Sequence, residues 1–318
     1  LIDAISGAHV WAERYDRAIG DIFATQDEIT ASVVSVIQPA LAEAEQQRVA
    51  RKPPDRLDAW EAYQRGLLHF YKYRPEDNQI AQEFFRQAIA LDPNFAPGHY
   101  GNALARCWDY WLYSTGSFAD LQGPMLAEAR LAVSLDSKDD MAHAVLALMM
   151  GGVGEWEVGI TEARVAAALN PNSAFVIGAL GMVLGTGGYH EEAISQLRLA
   201  IRASPHDPLI WWWLNGIADF QLFSQQFGAA LETYRQVIRR RPQFYLAHLW
   251  VPAVLAHLGR SDGARAALER VRAQFPELIE RRRQRPPWQR PQDWAIKMEG
   301  LRLAAGEQAP RLLPSDAG

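Results

Sequence analysis

One cysteine, Cys107, stands in 318 residues, which excludes an internal disulfide and any zinc or iron–sulfur site built from cysteines. Cysteine scarcity says little about compartment, since proteins of oxidising compartments also occur without cysteine pairs. No apolar run reaches the roughly 18–20 residues that a membrane-spanning helix needs. The stretch 175–185 is instead of a kind that ends as a buried helix. A large charge excess is also missing: the formal net charge is −5, which supplies no overall attraction to nucleic acid or to an anionic membrane. What is present is a globular balance, 49% apolar and 22% charged residues, in a length that suits one large or two medium domains. The chain starts at Leu1 and lacks a signal-peptide pattern. Its opening words, LIDAISGAHVWAERY, read as the end of something, so a fragment or processed chain in the cytoplasm is the expectation.

The segment GGYHEEAISQLRLAIRASPHDP (187–208) has a glycine turn, a helix with Ala193 and Ala200 at fixed places, and a stop at Ser204-Pro205. Its ending recurs at Asp92-Pro93, Asn170-Pro171, Arg241-Pro242 and Phe275-Pro276, and once more with Ser137 replacing proline. Ser137 to Pro171, Pro171 to Pro205 and Pro242 to Pro276 are each 34 residues. Proline pushes the residue before it out of the α region and so marks where each helix stops. Longer spacings hold insertions, chiefly LYSTGSFADLQG (112–123). Small residues recur where helices must approach closely: Ala103, Ala147 and Gly181 in first helices; Ala81, Ala193, Ala230 and Ala264 in second helices, with Ala88, Ala132, Ala166 and Ala200 two turns on. Phe85, Leu197, Tyr234 and Leu268 sit between them as inter-helix filling.

A 34-residue period of two helices is the signature of tetratricopeptide repeats, and the chain resembles that family over units 57–94, 96–139, 140–173, 174–207, 208–244 and 245–278. The resemblance implies an all-α right-handed superhelix in which each pair buries its apolar face only against its neighbours. Departures are visible. Trp211 stands where the family often has tryptophan, but other units have His99, His143, Ile177 and His248 there, Pro252 takes a small-residue position, and Gly159 replaces alanine. ERRRQRPPWQRP within 279–291 reads as an arginine- and proline-rich linker, and 292–305, with Trp294, Ile296, Leu301 and Leu303 on its apolar side, as a helix folding back as a cap.

At the front, HVWAERY alternates as a short strand does, and Phe23, Ile29, Val33, Val36, Ile37 and Leu41 recur at helical spacing. GAHVWAERYDRAIGDIFATQDEIT resembles the junction of bacterial multidomain signalling proteins, in which a TolB-like α/β domain precedes tetratricopeptide repeats. The resemblance makes residues 1–50 the end of that domain with a connecting helix. It implies an effector upstream of Leu1, either a class III adenylate or guanylate cyclase domain or a winged helix, with no catalytic residue of either inside this chain.

Signals for chemistry are weak. GGVGEWEVG (151–159) and LGTGGYH (184–190) lack the preceding strand and the lysine of a phosphate loop, His190-Glu191-Glu192 lacks the second histidine of a helical zinc site, and His99, His143 and His248 fall in separate units. No catalytic, cofactor-binding or metal-binding residue is assigned. Arg281, Arg282, Arg283, Arg285 and Arg290 with Trp288 could meet nucleic acid by charge and stacking, but they form one segment and not a tracked groove, so nucleic acid is disfavoured as a partner.

In a repeat stack the first helices line the concave surface. The register places there Tyr100, Leu104, Trp108, Met141, Ala144, Leu148, Phe175, Met182, Trp212, Asp219, Phe220, Leu249, Ala253 and His257. This lining is apolar and aromatic, of a kind that accepts an amphipathic helix or hydrophobic peptide. The expected function is a protein-interaction scaffold whose partner is a protein, a peptide or the chain's own upstream domain. Two states of the groove stay open: free, or covered by the helix at 23–50 or by the 112–123 insertion.

Overall fold

The structure, a computed structural model, describes residues 57–113, 117–276 and 285–306. The strand and helix expected within 1–50, and Arg281, Arg282 and Arg283, lie outside the described residues. Every regular element among the described residues is an α-helix: α1 Ala59–Phe70, α2 Pro75–Leu91, α3 Ala96–Trp111, α4 Phe118–Leu135, α5 Asp140–Gly152, α6 Trp156–Leu169, α7 Ala174–Gly187, α8 His190–Ala203, α9 Ile210–Phe223, α10 Phe227–Arg240, α11 Tyr245–His257, α12 Ser261–Gln274 and α13 Pro291–Ala304. The local sequence sets their ends. Asp58 and Glu61 close a reciprocal capping box on α1, with Glu61 N donating to Asp58 Oδ1 at 2.8 Å and Asp58 N to Glu61 Oε2 at 3.3 Å. Asp139 accepts from the backbone of Met141 and Ala142 at the start of α5. Second helices stop at Asp92, Asp136, Asn170 and Arg241, each just before the recurring proline or serine.

Contacts divide the chain into two units. The first holds the described residues up to Val183 together with Arg198–Pro208; the second holds Leu184–Leu197 and the described residues from Leu209 onward. In the first unit α1 pairs with α2, α3 with α4 and α5 with α6, while α2 meets α3, α4 meets α5, and the first helices α1, α3 and α5 touch in succession. In the second, α9 pairs with α10 and α11 with α12, α10 meets α11, and α13 lies on α11, with lesser contact to α12 and α9.

The seams are built as the period requires. Ala81, Ala88, Ala103, Ala132, Ala147, Ala166, Ala193, Ala230 and Ala264 are fully buried, as are the plugs Phe85, Leu197 and Tyr234. Phe85 of α2 shows why small residues recur opposite the plugs. A Cβ on Gly66 of α1 would stand 2.4 Å from its ring, and one on Gly101 of α3 would stand 2.9 Å away. Burying such a side chain stabilises the seam by roughly 1.5–3 kcal/mol. α11 runs through Pro252, which is buried inside the helix.

Candidate functional site

In the first unit, the face carried by first helices forms a small apolar cleft that opens to solvent. Tyr63, Leu67, Phe70 and Tyr71 come from α1 and its last turn, Tyr100, Gly101 and Leu104 from α3, Met141 from α5 and Phe175 from α7, with Phe85 of α2 beneath. The Tyr63 and Tyr100 rings meet edge to face at 5.9 Å, and their hydroxyls stand 3.4 Å apart. Burial pushes both phenols above their ordinary pKa, so both stay neutral. Apart from the hydroxyls of Tyr63, Tyr71 and Tyr100 the lining side chains offer dispersion and apolar area and no charge.

Four of the residues expected from the register, Tyr100, Leu104, Met141 and Phe175, meet around this space. Trp108 does not line it; its ring lies against Phe70 at 4.4 Å and Tyr73 at 5.0 Å, closing the turn after α1. Leu148 is buried in α5 and Met182 half-buried in α7, neither of them on the cavity wall. The α1 side of the wall lies outside the residues that the register names, although its signal is present in the sequence. Tyr63, Leu67 and Tyr71 repeat the spacing of Tyr100, Leu104 and Trp108, four residues apart on one helix face.

The second unit carries the corresponding face differently. Trp212 is half-buried beside Trp211 and Phe244, Phe220 stacks on His190, and Leu249 is buried. Asp219 is the centre of a polar group. The Tyr234 hydroxyl donates to its Oδ1 at 2.6 Å, Asn215 Nδ2 donates to its Oδ2 at 3.3 Å, and Lys297 of α13 places Nζ 2.7 Å from Oδ1. Burial first, and the Asp219 charge second, hold the Tyr234 phenol well above its ordinary pKa. His257 stacks on Phe227 and donates through Nε2 to the Ile296 carbonyl at 2.9 Å. Asp219, Ala253 and His257 therefore all lie against α13, which covers this face. Of the covers expected from sequence, 23–50 lies outside the described residues, and the described part of 112–123 contributes the first turns of α4. α13 lies on the final pair, mainly on α11, with Leu301 and Ala304 against Ala264 and Leu268 of α12.

The recurring histidines are structural clasps. His99 joins Glu128 at 2.5 Å and the Pro93 carbonyl at 2.8 Å. His143 joins Glu162 at 2.6 Å and the Ser137 carbonyl at 3.1 Å, and His248 the Pro242 carbonyl at 2.7 Å. Each ties the start of a first helix to the turn before it. The glycine-rich stretches fall at turns between helices, where Gly154 and Gly188 take φ of 90° and 99°. Among the described arginines of the basic segment, Arg285 donates to the Gln289 carbonyl and Arg290 to that of Gly187.

No protein-family description matches the chain. A putative adenylate cyclase 3 of Rhizobium meliloti (strain 1021) is 27% identical over 150 residues, which is 47% of this chain and 26% of that relative. Among solved structures, the Cut9–Hcn1 hetero-tetramer of the APC/C aligns with a TM-score of 0.60 at 14% identity, over 85% of this chain and 49% of the other. Human IFIT1 bound to PPP-AAAA aligns with a TM-score of 0.55 at 17% identity, over 67% of this chain and 49% of the other.

Proposed function

We propose that this chain, which has the all-α tetratricopeptide-repeat fold, is a protein-interaction module and that its first unit takes an apolar peptide or the apolar face of a helix. The observation that carries this reading is the uncharged wall of Tyr63, Leu67, Tyr71, Tyr100, Leu104, Met141 and Phe175 along a small open cleft. Such walls hold aromatic or aliphatic anchors, and a few anchors carry most of the affinity. The reading assigns no catalytic residue to the chain. IFIT1 is seen with PPP-AAAA and with m7Gppp-AAAA; here the net charge of −5 and the apolar wall supply no phosphate-neutralising term.

A helical-peptide display library panned on the chain supplies the test ligands. Met141→Glu and Phe175→Glu each alter a half-buried wall position, and each is expected to weaken the selected peptides at least tenfold without lowering the melting temperature. Peptides that bind both variants as tightly as the parent overturn the reading.

The partial likeness to a putative adenylate cyclase favours a second, compatible reading: these repeats are the regulatory part of a bacterial signalling protein whose cyclase domain lies upstream. A winged-helix effector in that place is the alternative. The purified chain is then expected to form no cyclic nucleotide from ATP or GTP, whereas the full gene product forms it. Turnover by the chain alone overturns the division of labour, and a gene product with an upstream winged helix and no turnover selects the alternative.

A further inference from the structure

α13 turns two of its four charged side chains inward, while Glu299 and Arg302 pair on its outer side. Asp293, Lys297, Gly300 and Ala304 are its buried stripe, spaced as one helix face, together with Trp294. Asp293 and Lys297 are each only 3% exposed. A helix serving only to seal an apolar end has no physical need to bury an ammonium, because desolvating a charge is costly unless partners are built for it.

The partners are built. Lys297 Nζ lies 2.7 Å from Asp219 Oδ1, 4.3 Å from the Trp250 ring centroid and 5.0 Å from that of Phe223. Asp219 comes from α9, Phe223 from the end of α9 and Trp250 from α11, and the carboxylate is aimed by Tyr234 of α10 and Asn215 of α9. A carboxylate fixed by two donors and flanked by two aromatic faces is an ammonium site by its chemistry. Every wall of it belongs to the repeats. The neighbouring contacts also have the character of recognition. Trp294 meets Trp250 edge to face at 5.9 Å, His257 reads the Ile296 carbonyl, and the missing side chain of Gly300 lets the α13 backbone settle on Ala253, where a Cβ would stand 2.7 Å from the alanine methyl.

We propose that the Asp219–Phe223–Trp250 cage is a lysine-reading site, filled in cis by α13, and that its partner is a helix of another protein with an aromatic residue three positions before a lysine, as in Trp294–Lys297. A tethered helix competes at millimolar effective concentration, so the partner binds when α13 lifts. The proposal concerns the second unit and shares with the proposed function only the premise that first helices form a receptor face.

The test uses the full chain and a fluorescein-labelled synthetic peptide of residues 286–306. In a chain carrying Trp294→Ala and Lys297→Ala, the peptide is expected to bind at least tenfold more tightly than to the parent chain, whose own α13 competes. A peptide with Lys297→Ala, or Asp219→Asn added to the released chain, is expected to lower that binding at least tenfold. Hydrogen exchange on a milder variant, Lys297→Gln, is expected to speed the amides of 293–304 at least tenfold while α9–α12 hold. Equal binding of the lysine-free peptide, failure of a folded released chain to take the peptide, or equal acceleration in α9–α12 each overturns the proposal. The Met141→Glu and Phe175→Glu variants leave this assay unchanged, so loss of one reading does not imply loss of the other.

Discussion

The first-helix face of the first unit and that of the second are made by the same period, and they meet opposite needs. Around Tyr63 and Tyr100 the wall is neutral and lines a small open cleft. Around Asp219 a carboxylate, an ammonium and two aromatic faces are packed beneath a helix. An apolar wall tolerates many occupants because dispersion has no direction, whereas a half-buried carboxylate is satisfied by few. On the proposed readings, the first unit's specificity rests on shape and the second's on one charge.

The largest expected effect comes from pulling the plug of the first unit. Phe85→Ala leaves a void between Gly66, Gly101 and Tyr63, and is expected to cost about 3–5 kcal/mol. Repeat stacks pass stability mainly between neighbours. Hydrogen exchange should therefore show α1–α3 opening while α10–α12 keep their protection; equal loss in both would contradict that independence.

Asp219→Ala is expected to cost somewhat less, about 2–3 kcal/mol, below the usual penalty for stranding a buried charge because α13 can lift and rehydrate Lys297. Pairing Asp219→Leu with Lys297→Met removes both charges and should restore most of the loss. Denaturant midpoints of the single and double variants check this, and a double variant as unstable as Asp219→Ala would show that the pair is not the source of the cost.

How far the sequence foresaw this contrast depends on the interaction concerned. The helix pairs and seam alanines were legible because they repeat: Ala88, Ala132, Ala166 and Ala200 answer one steric demand four times. Tyr100, Leu104, Met141 and Phe175 were legible by register, and Tyr63, Leu67 and Tyr71 could have been. Lys297 was not. It belongs to no repeat, its partner Asp219 lies 78 residues earlier, and a lysine among Trp294, Ile296 and Leu301 reads by composition as the wet side of an apolar helix. Only the packing of α13 on α11 shows the charged stripe to be the inner one. The histidine clasps stayed hidden for a similar reason. His99 and His143 recur visibly, but Glu128 and Glu162 sit at unequal separations from them in sequence.

A smaller effect sharpens the account of the first unit's neutral wall. The Tyr63 and Tyr100 hydroxyls are 3.4 Å apart, at the weak end of hydrogen-bond length. Tyr63→Phe is therefore expected to cost under about 1 kcal/mol in thermal unfolding. It should leave the affinity of a purely aliphatic peptide within twofold. A tenfold loss would mean that the hydroxyl contacts the ligand and the wall reads polarity as well as shape.

The smallest effect lies at the rim of the same unit, where Asp77 of α2 accepts from Lys72 Nζ at 2.9 Å and stands 2.9 Å from His69 Nδ1. The Lys72 hydrogen bond first, and His69 next, hold the Asp77 carboxyl below its ordinary pKa. A folded-state pKa below the unfolded one means that the ionised form favours folding. The contribution is fully present above the unfolded value, near 3.9, and is lost as pH falls through the lower folded value. Lys72 is largely solvated, so the gain is only about 0.2–1 kcal/mol and shrinks with salt. Denaturant midpoints of the parent chain and Asp77→Asn should coincide at the acid end and separate above about pH 4, with the parent the more stable. A gap that stays constant across pH would assign the loss to the amide's altered hydrogen bonding and remove the carboxylate's charge from the account of this rim.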